Sequence, residues 1–92
     1  MARLTRQTVQ IRNRLGLHAR AAARFVQAAT RFRAKVSVSR EGRTMDGKSI
    51  LGILLLAASQ GTWLEVAADG EDEGAAVAAL AALVDGGFGE EA

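Results

Sequence analysis

The sequence Asn13-Arg14-Leu15-Gly16-Leu17-His18-Ala19-Arg20-Ala21-Ala22 decides how the first half of the chain is organised. It contains the only histidine of the 92 residues, two positions after a glycine that permits a sharp change of direction. The alanine-rich segment that follows predicts a helix. We therefore expect the imidazole of His18 at a helix N-terminus, with Arg20 in the first turn and backbone N–H groups that lack intrahelical partners. Helix dipole and guanidinium both favour an anion there, so this stretch is interpreted as an anion site containing a nucleophile.

Apolar periodicity on either side of this stretch predicts the remaining elements. Val9 and Ile11 alternate with polar residues and indicate an inward-facing strand at 7–11. Apolar residues recur at helical spacing from Ala19 to about Phe32. Further on, the pattern predicts a strand at 34–39, a hairpin turn at 41–42, a strand at 43–45, a helix at 50–58, a strand at 62–68 and a last helix that begins at Asp72 or Glu73. This order favours an α+β open sandwich.

Composition excludes several classes of protein. The chain has no cysteine, which removes disulfides and thiolate metal sites, and a single histidine argues against a histidine-rich metal site. No apolar run is long enough to cross a bilayer, and residues 1–6 lack the apolar core of a signal peptide. We expect one cytoplasmic domain over residues 1–92, without a metal, a cofactor or membrane insertion.

The net charge of +2 is distributed unevenly, with most basic residues early in the chain and most acidic residues late. A basic segment is compatible with nucleic-acid binding. However, the two aromatic residues among the early arginines, Phe25 and Phe32, have the spacing of helical core positions. We therefore favour an acidic protein partner over nucleic acid.

The helix expected at 50–58 has two informative features. Ser49 precedes it and is a good N-cap, because its hydroxyl can accept from an early helical N–H. The helix itself is apolar nearly all round, so part of its surface has to remain exposed. By spacing, Ile50 and Leu54 are expected to contribute partly to the core.

Two separated stretches resemble the signatures of one family. Residues 13–20 resemble the phosphorylation signature of the HPr family, the histidine phosphocarriers of the bacterial phosphoenolpyruvate-dependent phosphotransferase system, and residues 46–53 resemble its second signature around a regulatory serine. The turns at 60–62 and 68–72 are also similar, and the resemblance covers nearly the whole chain. It implies an HPr-like open-faced β-sandwich of order βαββαβα, with a four-stranded antiparallel sheet and three helices on one face. The ending at 87–91 resembles alphaproteobacterial HPr proteins, including nitrogen-type carriers.

The resemblance implies a phosphoryl relay rather than an enzyme with its own turnover. His18 would accept a phosphoryl group from phosphoenolpyruvate-charged enzyme I and pass it to an enzyme IIA, in sugar uptake or nitrogen-related regulation. The alternative is a regulatory interaction module controlled by phosphorylation of Ser49 by an HPr kinase/phosphorylase, with little flux through His18. A monomer is the family expectation.

The resemblance also assigns roles to individual residues. His18 would become phosphorylated at Nδ1, Arg20 would stabilise the phosphoryl group, and the backbone of Ala19, Arg20 and Ala21 would bind it. Without the family, His18 could equally be a capping or surface histidine. The residues expected to dock partners form what we call the docking surface: Ala23, Arg24, Lys48, Ile50, Leu51 and Leu54.

Two further expectations concern single positions. The family has proline where this chain has Ala21, and we expect the site to be retained, because a first-turn position tolerates either residue. The tail Glu90-Glu91 is expected to be a frayed end.

Overall fold

Alternating apolar residues and amphipathic segments assemble into one sheet covered by helices in the computed structural model, which describes residues 4–90. Among these residues no helix is both long and apolar enough to cross a membrane. The elements in chain order are β1 (Leu4–Gln10), α1 (Ala19–Ala29), β2 (Lys35–Arg40), β3 (Arg43–Asp46), α2 (Ile50–Leu55), β4 (Trp63–Asp69), α3 (Glu73–Asp85) and a final 3₁₀ turn at Gly87–Gly89. The predicted order of strands and helices is confirmed.

The sheet has four antiparallel strands in the order β1-β4-β2-β3. Along β4, Leu64 and Val66 are buried whereas Trp63 is exposed, so one face of the strand carries the core and the other faces solvent. Helix α3 packs on β1 and β4, and α1 packs against α2 and α3. The molecule is therefore an α+β open-faced sandwich, as expected.

Two helices end earlier than the sequence pattern suggested. Helix α1 ends at Ala29 rather than near Phe32, because Thr30 acts as its C-cap. Helix α2 ends at Leu55 rather than residue 58, and Ala57 has a positive φ of 50°. A residue in the left-handed region cannot continue a right-handed helix, and this is what stops α2.

Helix α2 buries a narrower face than its composition suggests. Ile53 and Leu56 are fully buried, and Leu54 is half-buried against the core, as predicted for Leu54. The expectation that Ile50 belongs partly to the core is wrong, because its side chain is 44% exposed. The buried seam consists of Ile53 and the C-cap residue Leu56 and does not include Ile50, which is exposed in the first turn.

The end of the chain is not frayed at Glu90, contrary to expectation. After α3 the backbone turns through Gly87–Gly89 and buries Phe88 to 1% exposure. This apolar anchor holds Glu90, two residues further on, against the loop that precedes α1. Glu91 lies outside the described residues.

Candidate functional site

His18 is the N-cap of α1, as predicted. Its carbonyl accepts the first helical bond from the Ala22 amide at 2.9 Å. Its side chain folds back over the helix start, and Nδ1 accepts from the backbone N–H of Arg20 at 3.2 Å. The Nδ1 lone pair is therefore directed at the amide-rich end of the helix.

Gly16 sets the direction in which the chain enters this helix. Its φ is +67°, and a Cβ at this position would lie 2.5 Å from the carbonyl oxygen of Ala58. The close approach lets the neighbouring Leu17 donate its amide to that same carbonyl at 2.9 Å. Only glycine satisfies both the backbone angle and the space, so this residue fixes where His18 is placed.

The other imidazole nitrogen faces a carboxylate that sequence reasoning missed. His18 Nε2 is hydrogen-bonded to Oε2 of Glu90, 72 positions further along the chain. The second carboxylate oxygen of Glu90 accepts from Nδ2 of Asn13 at 2.9 Å, and that same amide donates to the Gly16 carbonyl at 2.7 Å. Asn13 is itself buried, and it links the loop and the histidine to Glu90.

Glu90 is held in its ionised form. Partial burial acts to raise the pKa of its carboxyl, but hydrogen bonds from Asn13 and His18 and the charge of Arg24 outweigh burial, and the pKa lies below its ordinary value. A carboxylate can only accept, so Nε2 carries the proton in this contact. The hydrogen-bond partners thus assign the proton to Nε2 and leave Nδ1 with its lone pair.

The start of α1 offers further groups to an anion. No backbone acceptor within residues 4–90 pairs with the amides of Ala19 and Ala21. The guanidinium of Arg20 is exposed and forms no ion pair with another described residue. Because position 21 is alanine, its N–H is present in the first turn, where proline would remove it.

Two basic residues of the docking surface are tied to the backbone. Arg24 is exposed, and its guanidinium donates to the carbonyl of Phe88. Lys48 donates through Nζ to the carbonyl of Phe32 at 2.8 Å and is half-buried. Both side chains are therefore positioned by contacts that the sequence pattern did not reveal.

The apolar part of the same surface is largely open to solvent. Leu51 is 68% exposed, Ile50 is exposed, and Leu54 and Ala23 are half-buried. Leu15 in the loop before His18 and Leu55 at the end of α2 are also exposed, and neither was predicted. Exposed leucines surrounded by a charged rim have the composition of a transient interface.

Ser49 is the N-cap of α2, as predicted, and its hydroxyl accepts from the Gly52 amide at 3.0 Å. The side chain is half-buried.

Comparisons with known proteins agree with this architecture. Residues 5–85 match the family described as PTS HPr component phosphorylation site. The chain is 45% identical over 87 residues to phosphocarrier protein HPr of Neisseria meningitidis, covering 95% of this chain and 98% of that protein. The crystal structure of HPr-C-His from Thermoanaerobacter tengcongensis superposes with a TM-score of 0.92 at 42% identity, covering 96% and 99% of the two chains. Crh from Bacillus subtilis, described as a dimer with a swapping domain, has a TM-score of 0.75 at 44% identity, covering 88% and 93%.

Fold and site together define a small α+β sandwich that presents a histidine at the start of a helix. With a family profile that covers most of its length and relatives above 40% identity, the chain belongs to the HPr family.

Proposed function

We propose that this protein is a phosphoryl carrier in which Nδ1 of His18 accepts a phosphoryl group from enzyme I and passes it to an enzyme IIA. The Nδ1 lone pair attacks phosphorus, the N–P bond of the donor phosphohistidine breaks, and its electron pair returns to the donor ring. Transfer to the acceptor is the same step in reverse. The protein is a covalent intermediary and turns over no substrate of its own.

The observation that carries the proposal is the direction of the Nδ1 lone pair. It faces the Arg20 amide, beside the unpartnered amides of Ala19 and Ala21. A phosphoryl group on Nδ1 would replace the Arg20 contact and accept from these N–H groups. The exposed Arg20 guanidinium can add a charge-assisted hydrogen bond. The His18 side chain remains 21% exposed, so a partner can reach it.

The docking surface is proposed to receive both partners in turn. Its exposed Leu51 offers apolar contact, and Arg24 and Lys48 supply a basic rim suited to acidic partners. A carrier that must release each partner needs such a small, partly polar interface rather than a large apolar one.

Replacement of His18 tests the proposal. Asparagine is a good N-cap without a nucleophilic nitrogen, so His18→Asn should retain the helix and lose phosphoryl acceptance completely. The measurement is transfer from labelled phosphoenolpyruvate through enzyme I, with the product checked for an acid-labile, base-stable phosphate. Circular dichroism and thermal unfolding serve as the fold control. A His18→Asn protein that still accepts phosphate from enzyme I would refute the proposal.

Regulation through Ser49 is the second candidate, and the exposed docking surface that follows this residue on α2 favours it. A phosphoserine at this N-cap would add about two negative charges next to residues proposed to bind partners. Incubation with an HPr kinase/phosphorylase should then give phosphoserine on the wild type and none on Ser49→Ala. If the kinase produces phosphoserine while His18 accepts nothing from enzyme I, the regulatory function replaces the relay.

The branch served by the relay can be assigned with the same labelled protein. Phosphorylated wild type is mixed with sugar-specific and nitrogen-type IIA proteins in separate reactions. The IIA that is phosphorylated fastest identifies the branch, and neighbouring genes provide an independent indication.

A further inference from the structure

We propose that Glu90 is a positioning residue for phosphoryl transfer, which keeps the proton of His18 on Nε2 and stabilises the positive charge that the ring acquires when Nδ1 is phosphorylated. This inference rests on the proposed function, because it concerns the same imidazole.

The contact is built into the fold rather than contributed by a loose tail. Phe88 is fully buried and its carbonyl accepts from Arg24, so the backbone just before Glu90 is fixed at two points. The Glu90 carboxylate is bound on one oxygen by buried Asn13 and on the other by His18. Its side chain is only 17% exposed. A carboxylate held on both oxygens has a defined direction toward the ring.

The chemistry of transfer gives this carboxylate its role. In the resting protein the ring is neutral, with a proton on Nε2 and a lone pair on Nδ1. When Nδ1 forms its bond to phosphorus, the proton stays on Nε2 and the ring becomes cationic. In the resting protein the carboxylate is bonded to a neutral ring, whereas after phosphorylation the Coulomb attraction between the cationic ring and the same carboxylate is added to that hydrogen bond. Glu90 therefore stabilises the phosphorylated form more than the resting form.

Among the described residues, Glu90 is the acidic group in contact with the ring.

The test compares Glu90→Gln with the wild type, and Glu91→Gln serves as the matched control because it removes one charge at the next position of the chain. Wild type and variant are mixed with a catalytic amount of enzyme I and a limiting amount of phosphoryl groups. The distribution of the phosphoryl group between the two proteins is then measured by ³¹P NMR. At neutral pH the phosphoryl group should favour the wild type over Glu90→Gln by about tenfold. Glu91→Gln should partition equally with the wild type.

A second measurement does not require phosphorylation. In ¹⁵N-labelled resting protein, the imidazole spectrum should place the proton on Nε2, with its resonance shifted downfield by the carboxylate. Glu90→Gln should move this resonance upfield, and Glu91→Gln should leave it unchanged.

The outcomes separate the two proposals. Failure of the wild type to accept phosphate overturns the carrier function and, with it, the role of Glu90. Normal acceptance together with equal partition between wild type and Glu90→Gln overturns the role of Glu90 alone. An unchanged imidazole spectrum in Glu90→Gln, or a Glu91→Gln protein with the same partition defect, also overturns it.

Discussion

The site depends on what a single imidazole touches on each of its two nitrogens. The Nδ1 side was predictable, because a glycine, a histidine and an alanine-rich run lie within a few residues of each other and local sequence determines an N-cap. The Nε2 side was not, because Glu90 is 72 positions away and is brought to His18 by tertiary structure. A glutamate in a terminal segment has no periodicity that would distinguish it from a solvated residue.

Arg20 is the residue on which the stabilisation of bound phosphate can be tested directly. Its guanidinium is exposed and next to His18, so Arg20→Ala should leave the fold intact while removing one charge-assisted hydrogen bond. A bond to a charged group contributes about 1.5–3 kcal/mol, which corresponds to a loss of roughly ten- to a hundredfold in transfer rate. Quench-flow measurement of transfer from phosphorylated enzyme I provides the rate.

Arg31→Ala is the matched control for Arg20→Ala. Arg31 is also exposed but lies beyond the C-terminal end of α1, away from His18. The Arg31→Ala protein should therefore accept the phosphoryl group from enzyme I at the wild-type rate. Equal rates for wild type and Arg20→Ala would remove Arg20 from the site.

At the scale of elements, the start of α3 is joined to the chain between α1 and β2 by one carboxylate. Asp72 is the N-cap residue of α3, yet its side chain makes no capping bond. It accepts instead from the amides of Arg33 and Ala34, each at 2.8 Å. Gly70 permits this contact, because a Cβ there would lie 2.7 Å from Cα of Ala34. Periodicity predicted where α3 begins, but it gave no indication of this cross-chain contact.

This carboxylate should make stability depend on pH in a defined direction. The Arg33 amide, acting against partial burial and together with that of Ala34, holds the pKa of Asp72 below its ordinary value of 3.8. The stabilisation is thus complete above pH 3.8 and is lost as the pH falls through the lower folded-state value. Asp72→Asn should be less stable than the wild type at neutral pH, and the difference should shrink in acid.

Urea unfolding at a series of pH values measures the stability difference for Asp72. Glu71→Gln is the control, since Glu71 is exposed in the same turn. A difference between wild type and Asp72→Asn that stays constant down to the most acidic buffer would contradict the assignment.

Helix α2 separates residues that hold the fold from residues proposed to bind partners. Leu51→Glu should leave the free energy of unfolding within about 0.5 kcal/mol of the wild type, because the side chain is 68% exposed. Leu51→Glu should also raise the KM of enzyme I for this protein. A negative charge would replace an apolar contact and repel an acidic partner. Ile53→Ala, in the buried seam, should instead cost about 2–5 kcal/mol of stability.

Chemical denaturation and steady-state transfer kinetics distinguish the two changes in α2. The prediction for Leu51 fails if Leu51→Glu unfolds as readily as Ile53→Ala, which would return Leu51 to the core. The prediction also fails if the KM of enzyme I for Leu51→Glu equals its KM for the wild type. The sequence could not assign these roles, because six consecutive helical residues that are nearly all apolar have no marked face.

For the whole molecule, the order of elements and the position of the core followed from periodicity, whereas the closure of the chain did not. The strands alternate, and they pair antiparallel as the family resemblance implied, whereas their order in the sheet was not predicted. Contacts of Phe88 with Arg24 and of Glu90 with Asn13 then bring residues 88–90 back to α1 and the loop before it. This return depends on tertiary contacts between segments that are far apart in sequence, so no local pattern predicts it.

The loop before α1 also supports the expected monomeric state. β1 is an edge strand that pairs only with β4, and exchanging it between two copies would require the loop at 11–17 to straighten. The loop is closed on itself by two hydrogen bonds, from the Gly16 amide to the Asn13 carbonyl at 3.1 Å and from Asn13 Nδ2 to the Gly16 carbonyl at 2.7 Å. Straightening would break both and leave the buried amide of Asn13 without these acceptors. The wild type should therefore have the mass of one 9.7 kDa chain at all concentrations.

Sedimentation equilibrium over a wide concentration range measures this mass. Asn13→Ala removes the side-chain bond that closes the loop, together with the contact to Glu90, so it should form more dimer than the wild type at the same concentration. Glu71→Gln, outside the loop, should behave as the wild type. A wild-type mass that rises toward two chains with concentration would contradict the expectation and would mean that the bent loop does not prevent exchange of β1.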